Sequence, residues 1–174
     1  IDVDNSKQPN SRWYSGSGIY RDVNLWTGKD VYISHDKLRI TTLSVNDDMA
    51  VIEVCAQLKN IIGHGLEAEC LIEIKKDGQK TASDTQRVVF RSEQMQTVRV
   101  QIPIEHPKKW SPKQPALYEC HITTKFDDKI CDEAVSNFGI RVLALDPVRG
   151  LQINGETVKL RGTCIHHDNG VIGA

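Results

Sequence analysis

The chain has 174 residues, of which 39% are hydrophobic and 26% are charged, and its formal net charge at pH 7 is −1. This composition is typical of a globular protein with an apolar core, and the small net charge argues against a nucleic acid or an acidic membrane surface as partner. No apolar run approaches the roughly 20 residues that a membrane-spanning helix requires.

The polar N-terminal region ends in a cluster of aromatic residues. Residues 1–18 carry no strand pattern. Four aromatic residues fall within a stretch of fourteen residues that begins inside this region: Trp13, Tyr14, Tyr20 and Trp26. Exposed aromatic rings can stack on sugar faces, whereas a buried interface cluster is the plainer use of such residues. One hypothesis is therefore a carbohydrate-binding or adhesion module, with Trp13, Tyr14 and Trp26 as its platform.

Strict alternation of apolar and polar residues predicts β-strands between residues 19 and 142. The clearest segments are MAVIEVCAQLKN, LEAECLIEIKK, TVRVQIPI and LYECHITTKF, and the weaker ones are LRITTLSV, RVVF and KICDEAVSNFGIRV. No segment has the pattern of an amphipathic helix. One apolar and one polar face on each of about seven short strands predict an all-β, immunoglobulin-like antiparallel β-sandwich.

The tyrosine before the last of the clear strands has two interpretations. Tyr118 stands two residues before Cys120, the spacing of the tyrosine corner found in many such sandwiches. A core tyrosine at the start of a strand explains the pattern equally well.

The cysteines give no sign of a metal site or a disulfide. Five occur at irregular spacing, and none forms a Cys-x-x-Cys pair: Cys55, Cys70, Cys120, Cys131 and Cys164. Cys120 lies on the inward face of its predicted strand and Cys55 on the outward face of its own, so a bridge between them is not expected. We predict free thiols, no metal and no cofactor, and the cysteines leave the cellular compartment open.

The last thirty residues begin a new pattern. INGET is an Asn-Gly hairpin turn, and KLRGTCIH predicts a short strand that leads into the loop HHDNG. His166 and His167 would point to opposite faces of an extended segment, so a shared metal ion is not expected. A polar loop is the alternative. Ser15 and Ser17 lie in a Gly-rich loop that lacks the G-x-S-x-G pattern, and we predict no catalytic residue in this chain.

Three motifs, taken in order, resemble glycoside hydrolase family 2. SRWYSGSGIYRDVNLW (residues 11–26) resembles the end of that family's N-terminal jelly-roll domain, and WSPKQPALYEC (residues 110–120) resembles a segment of its immunoglobulin-like second domain. The stretch from FGIRV to the C-terminus (residues 138–174) is similar to the family's crossover into a catalytic TIM barrel.

The resemblance implies a division of the chain into parts of three domains. Residues 1–26 would end a jelly-roll sugar-binding domain, residues 27–142 would form the β-sandwich, and residues 143–174 would begin a truncated TIM barrel. In the family the histidine four residues after the glycine of the Leu-Arg-Gly strand lies beside the sugar pocket, which implies that His166 contacts substrate. His167 and Asp168 would be pocket or loop-support residues, and a structural role in the barrel is the alternative for His166. Here Thr163-Cys164 replaces the family's usual Val-Asn after that glycine, so the asparagine's contacts do not carry over.

The resemblance also implies the activity of a longer parent protein. Retaining glycosidases use two carboxyl groups, and in this family both are glutamates on later barrel strands, so the segment alone should be inactive. The parent would be a β-galactosidase acting on terminal β-D-galactosides, with a β-glucuronidase or a β-mannosidase as alternatives. Its partners would be a carbohydrate substrate and the neighbouring jelly-roll and TIM-barrel domains, with no nucleic acid and no membrane segment.

The parent's location and the state of the tail remain open. The resemblance implies a periplasmic or extracellular enzyme whose signal peptide would lie upstream of residue 1, although five unpaired cysteines would be unusual there. Without a barrel to bury its apolar residues, the tail after Val142 is expected to be mobile, to fold back on the sandwich or to pair with another copy.

Overall fold

The computed structural model describes residues 21–91 and 94–164, together with residues 2, 4, 6, 18 and 19. The described residues contain eleven β-strands, one turn of 3₁₀ helix and no α-helix. The strands are β1 (Val31–Ile33), β2 (Arg39–Val45), β3 (Met49–Asn60), β4 (Leu66–Lys76), β5 (Gln79–Phe90), β6 (Met95–Glu105), β7 (Tyr118–Phe126), β8 (Lys129–Phe138), β9 (Leu143–Asp146), β10 (Gly150–Ile153) and β11 (Glu156–Thr157).

Eight of these strands form two antiparallel sheets. In the first sheet β3 is central, with β6 along one side and β1 and β2 along the other. The second sheet has the order β5-β4-β7-β8. The all-β antiparallel sandwich predicted from the alternation is therefore confirmed.

The core lies between the two sheets and is built by the alternating apolar positions. The inward residues of β3, β4, β6 and β7 are all buried: Ile52, Val54, Ala56, Leu58, Leu66, Ala68, Cys70, Ile72, Ile74, Val98, Val100, Ile102, Ile104, Tyr118, Cys120 and Ile122. Since side chains alternate along a strand, one residue of slippage would turn each of these sets toward solvent, and this fixes the register.

All five cysteines are free thiols, and Cys70 and Cys120 lie within this core. Burial raises the pKa of each of these two thiols to about 12. Cys55 is half-buried on the opposite face of β3, in agreement with the parity argument.

The short strand β1, which the alternation does not predict, ties the two sheets together. It pairs with β3 in the first sheet, and the Ile33 N–H donates to Asp132 Oδ2 on β8 of the second sheet at 2.8 Å. The buried Thr124 hydroxyl of β7 donates to the Val31 carbonyl, also at 2.8 Å. These bonds satisfy backbone groups of β1 that face away from its partner strand.

The three remaining strands form an antiparallel meander, β9-β10-β11. Asn154 and Gly155 adopt left-handed conformations in the turn between β10 and β11, with φ of 52° and 82°, so the predicted Asn-Gly hairpin is confirmed. The meander belongs to the same compact unit as the sandwich, Thr27–Val158. Residues 143–158 thus pack with the sandwich.

Two details differ from the sequence-based expectation. The predicted strand KLRGTCIH has no counterpart in residues 159–164, which are irregular, and its last residues lie outside the described part. Strand β5 extends well beyond RVVF, because pairing with β4 holds its polar first half in place.

The division into residues 1–26, 27–142 and 143–174 stays a prediction. No helix in the described residues is long and apolar enough to cross a membrane.

Candidate functional site

His166 and Asp168, the residues predicted to contact sugar, lie outside the described residues, as do Trp13 and Tyr14 of the alternative aromatic platform. Trp26 is described, and 65% of its surface is exposed. Within residues 21–91 and 94–164, no group of three or more His, Cys, Asp or Glu side chains could hold a metal ion.

The candidate site is a corner of the sandwich where three chain segments meet. The first is the loop between β6 and β7, which carries Trp110. The second is the segment after β8, from Gly139 to Val142, and the third is the hairpin tip at Asn154. We refer to Trp110, Gly139, Arg141, Val142 and Asn154 as the latch. These segments belong to the motifs WSPKQPALY, FGIRV and INGET.

Trp110 joins the first two segments through its backbone and its ring. Its N–H donates to the Ile140 carbonyl at 2.8 Å, and the Arg141 guanidinium lies 4.3 Å from the centre of its indole ring. This distance is suited to a cation–π interaction. A Cβ on Gly139 would lie only 2.7 Å from Trp110 Cγ, so the ring occupies the space that a side chain would need.

Asn154 joins the hairpin to both other segments. Its Nδ2 donates to the Trp110 carbonyl at 3.0 Å, and its Oδ1 accepts from the Val142 N–H at 3.0 Å. The Asn154 N–H also donates to the Val142 carbonyl at 2.9 Å. One amide side chain therefore fixes the direction in which the chain leaves the sandwich.

The tyrosine corner lies beside the latch and secures the same loop. The Tyr118 hydroxyl accepts a hydrogen bond from the Lys108 N–H at 2.8 Å, ten residues upstream. The Tyr118 ring packs against Phe138, with 5.7 Å between ring centres. Of the two interpretations of Tyr118, the structure favours the tyrosine corner.

A groove of about 550 Å³ runs past the latch between β2 and the segment after β8. Exposed apolar side chains line much of it, among them Leu43, Leu117, Val142 and Leu143. Among the described residues that line it, Arg141 is the single charged one and none is a carboxylate. The groove therefore has the character of a packing surface.

A second hollow, of about 480 Å³, lies on the solvent side of the other sheet. Glu67 and Glu69 line it, and each is paired with a cation of a neighbouring strand, Arg87 for Glu67 and Lys125 for Glu69. The hollow is open to solvent, so it lacks the exclusion of water that strengthens charge interactions in an active site.

The turn between β9 and β10 is fixed by a carboxylate. Asp146 Oδ1 accepts hydrogen bonds from the N–H groups of Arg149 at 2.7 Å and Val148 at 2.9 Å. These two bonds hold the pKa of Asp146 below its ordinary value of 3.8, because they favour the charged form. Sequence reasoning identified neither this turn nor the latch, although the latch motifs were the ones that carried the family resemblance.

Comparison with known proteins gives consistent matches. A sequence profile of the Glycosyl hydrolases family 2 matches residues 31–141. Beta-galactosidase BoGH2A of Bacteroides ovatus is 31% identical over 100% of this chain and 21% of its own length. A putative beta-glucuronidase of Formosa agariphila is 30% identical over 99% of this chain and 16% of its own length.

Solved structures match the fold. A glycosyl hydrolase family 2 member from Bacteroides cellulosilyticus superposes with a TM-score of 0.83 at 31% identity, over 94% of this chain and 23% of that one. A beta-glucuronidase of Bacteroides uniformis gives a TM-score of 0.79 at 24% identity, over 98% of this chain and 22% of that one, a likeness of fold. The chain spans about a fifth of the length of the curated relatives named above.

Proposed function

Because this chain belongs to glycoside hydrolase family 2, we propose that it is a non-catalytic β-sandwich domain of a longer, retaining glycosidase. The observation that carries the proposal is the latch. Three of its side chains contact one another or nearby backbone groups in the described part of the chain: Trp110, Arg141 and Asn154. Side chains used in this way shape a junction between chain segments.

The carboxylates of the described part also support a non-catalytic role. Retaining glycosidases place two carboxyl groups about 5–5.5 Å apart on either side of the bond to be cleaved. Four carboxylates line the open, solvent-side hollow, and two of them, Glu67 and Glu69, are each engaged by a cation; the other two are Asp127 and Asp128. In the proposed parent, both catalytic glutamates come from a barrel that lies beyond this segment.

The proposed substrate of the parent is a terminal β-D-galactoside. The support is the 31% identity to the Bacteroides ovatus beta-galactosidase along the whole chain. A β-glucuronide is the second candidate, because the relative from Formosa agariphila is a putative beta-glucuronidase at nearly the same identity. β-Mannosides are a third candidate, from the shared architecture alone.

His166 and Asp168 are proposed to line the sugar pocket of that parent. The support is their position after the segment that resembles the first barrel strand, because barrel active sites lie at the C-terminal ends of strands. In the longer protein, His166→Ala should lower kcat/KM by at least tenfold, since it removes a polar contact to the substrate. The control is His64→Ala, which changes a loop histidine of the sandwich. Equal activity of the two variants would contradict this assignment.

The main test is hydrolysis of aryl β-galactoside, β-glucuronide and β-mannoside by the 174-residue chain and by the longer protein. We expect activity only in the longer protein, with galactoside preferred. Activity of the 174-residue chain would overturn the non-catalytic role, and preference for another sugar would overturn the substrate.

A carbohydrate-binding module is a second candidate function, favoured by the exposed indole of Trp26. A saturable change of tryptophan fluorescence on titration of the 174-residue chain with galactose or lactose would support it. The change should then disappear in Trp26→Ala and persist in Trp110→Phe. No change with either sugar in the unsubstituted chain would exclude this candidate for those ligands.

A further inference from the structure

The hollow on the solvent side of the β5-β4-β7-β8 sheet combines charged, hydroxyl and aromatic groups in about 480 Å³. A row of charged side chains crosses it. Glu69 is the register partner of Arg87 on β5 and of Lys125 on β7, and cross-strand partners point to the same side of a sheet. Thr85 adds a hydroxyl, and the half-buried ring of Phe126 adds an apolar surface.

Two ion pairs hold the charged side chains of the hollow beside one another. Arg87 donates a hydrogen bond to Glu67, and Lys125 Nζ lies 3.4 Å from Glu69 Oε1. A guanidinium carries five N–H donors, an ammonium carries three, and a carboxylate has about four acceptor sites, so these pairs do not use up their hydrogen-bonding capacity. The hollow therefore presents donors and acceptors side by side.

The turn between β7 and β8 adds two carboxylates to the hollow, in a backbone conformation that disfavours them. Asp127 and Asp128 are both left-handed, with φ of 49° and 58°. The turns at Asp77-Gly78 and Asn154-Gly155 are left-handed at the same two positions, but their second residue is the glycine that this geometry prefers. Within the described part of the chain, neither aspartate of the β7–β8 turn has a hydrogen bond or an ion pair.

This lining has the chemistry that a neutral saccharide requires. A hydroxyl group both donates and accepts hydrogen bonds, so a sugar can use the carboxylates and the cations together. The C–H groups of a sugar face can pack on the ring of Phe126. Four carboxylates and two cations give the lining a formal charge of −2, which disfavours an anionic saccharide such as a uronate.

We propose that the hollow is a non-catalytic binding site for neutral, β-linked galacto-oligosaccharides. Asp127 and Asp128 accept hydrogen bonds from sugar hydroxyls, and Phe126 packs against one sugar face. This inference rests on the proposed function, because the galactoside is the proposed substrate. It adds a second point of attachment for a substrate chain, and a site on the same polypeptide as the catalytic domain raises the local concentration of that chain.

Cationic ligands are the competing occupants, and the lining suits them less well. Within the described ranges, no group of three or more His, Cys, Asp or Glu side chains could hold a metal ion. A lysine-rich peptide could use the carboxylates, but it would also meet the like charges of Arg87 and Lys125. A saccharide makes use of both kinds of group.

The test is an NMR titration of the 174-residue chain with β-linked galactotriose, observed at the backbone amides. The key variant is Asp127→Asn/Asp128→Gly, which removes both carboxylates and gives the turn the residue pair that its geometry prefers, so the fold is retained. The matched control is Asp77→Asn, which makes the same pair in the β4–β5 turn, outside the lining of the hollow.

We expect saturable shifts in the amides of residues 67–69, 85–87 and 125–128. The dissociation constant should rise at least fivefold in Asp127→Asn/Asp128→Gly and change less than twofold in Asp77→Asn, because charged acceptors make the stronger hydrogen bonds. Equal affinity of the double variant, shifts confined to other residues, or no saturable shift would each overturn the inference.

Three further probes test the chemistry of the ligand. A glucuronate trisaccharide should bind at least fivefold more weakly than galactotriose, because its carboxylates meet those of the hollow. Tighter binding of that trisaccharide would overturn the assignment to neutral sugars. Shifts of the same amides with calcium chloride or trilysine but not with galactotriose would also overturn it, because a cation would then be the occupant.

The hydrolysis assay separates this inference from the proposed function. Galactoside hydrolysis by the longer protein, without saccharide binding at the hollow, overturns the binding site and leaves the glycosidase assignment intact. Galactotriose binding at the hollow, with no hydrolysis of any aryl glycoside by the longer protein, does the reverse, since binding does not depend on turnover.

Discussion

Gly139→Ala is the sharpest test of the latch as a structural unit. The added Cβ would lie 2.7 Å from Trp110 Cγ and 2.8 Å from two further atoms of the same side chain. Carbon atoms need about 3.5 Å or more, so either the ring or the backbone must move by several tenths of an ångström. The indole cannot retreat freely, because the backbone of Trp110 is held by Ile140 and Asn154.

The cost can be estimated from the contacts that the movement disturbs. Overpacking a well-packed site costs about 1–3 kcal/mol. Displacing the indole also weakens its interaction with Arg141, worth about 0.5–1 kcal/mol at an exposed site, and strains the bond to Asn154, worth about 0.5–1.5 kcal/mol. We therefore expect Gly139→Ala to lower the free energy of unfolding by about 2–5 kcal/mol.

The assay is urea unfolding followed by far-UV circular dichroism, which does not depend on the indole that is being disturbed. Gly162→Ala is the control, because a Cβ there meets no atom within 4 Å. The double variant Gly139→Ala/Trp110→Ala should lose less free energy of unfolding than the sum of the losses in the two single variants. Without the indole, the Cβ at position 139 has no atom to clash with. A loss below about 0.5 kcal/mol, or strict additivity, would refute the steric reasoning.

Three further predictions concern the tyrosine corner, the β9–β10 turn and the buried thiols. Tyr118→Phe should lower the free energy of unfolding by about 1–2 kcal/mol in urea, because the Lys108 N–H loses its acceptor; no loss would mean that water replaces the hydroxyl. The pKa of Asp146 lies below 3.8 in the folded chain, so its stabilising effect is complete above that pH and is lost as the pH falls through the lower folded value. An NMR titration of the Arg149 amide should have its midpoint below 3.8 and lose its pH dependence in Asp146→Asn; a midpoint at or above 3.8 would contradict the turn. Burial raises the pKa of Cys70 and Cys120 to about 12, so both should resist a disulfide reagent at pH 8 until urea unfolds the chain, and rapid reaction without urea would contradict a closed core.

The strands that could be predicted are those whose burial repeats every two residues. Strands β3, β4, β6 and β7 bury every second residue, so their apolar faces are visible in the sequence. Strand β1 has three residues, too few for a period, and it is held by Asp132, which comes about a hundred positions later. Such a contact leaves no local pattern in the sequence.

The candidate site likewise has one part that the sequence predicts and another part that it does not. The Asn-Gly pair predicts its own hairpin because it suits the left-handed turn, but nothing near Asn154 indicates that its amide reaches Trp110, 44 residues earlier. The need for a glycine at position 139 becomes clear only when the structure shows the Trp110 indole beside it. The predicted contacts of His166 and Asp168 depend on a barrel that supplies the rest of the pocket, and they stay predictions.

The hydrogen bonds of Asn154 also bear on the deamidation of its side chain. In an Asn-Gly pair, the backbone nitrogen of the glycine readily attacks the carbonyl carbon of the side-chain amide. Ammonia leaves as the succinimide ring closes, and water then opens that ring to aspartate or isoaspartate. Here both ends of that amide are held, by the Trp110 carbonyl and the Val142 N–H. Each opening of the latch exposes the amide to this reaction. The aspartate formed would direct a carboxylate oxygen at the Trp110 carbonyl, where the amide donated a hydrogen bond, so an opening that would otherwise reverse becomes permanent chemical damage.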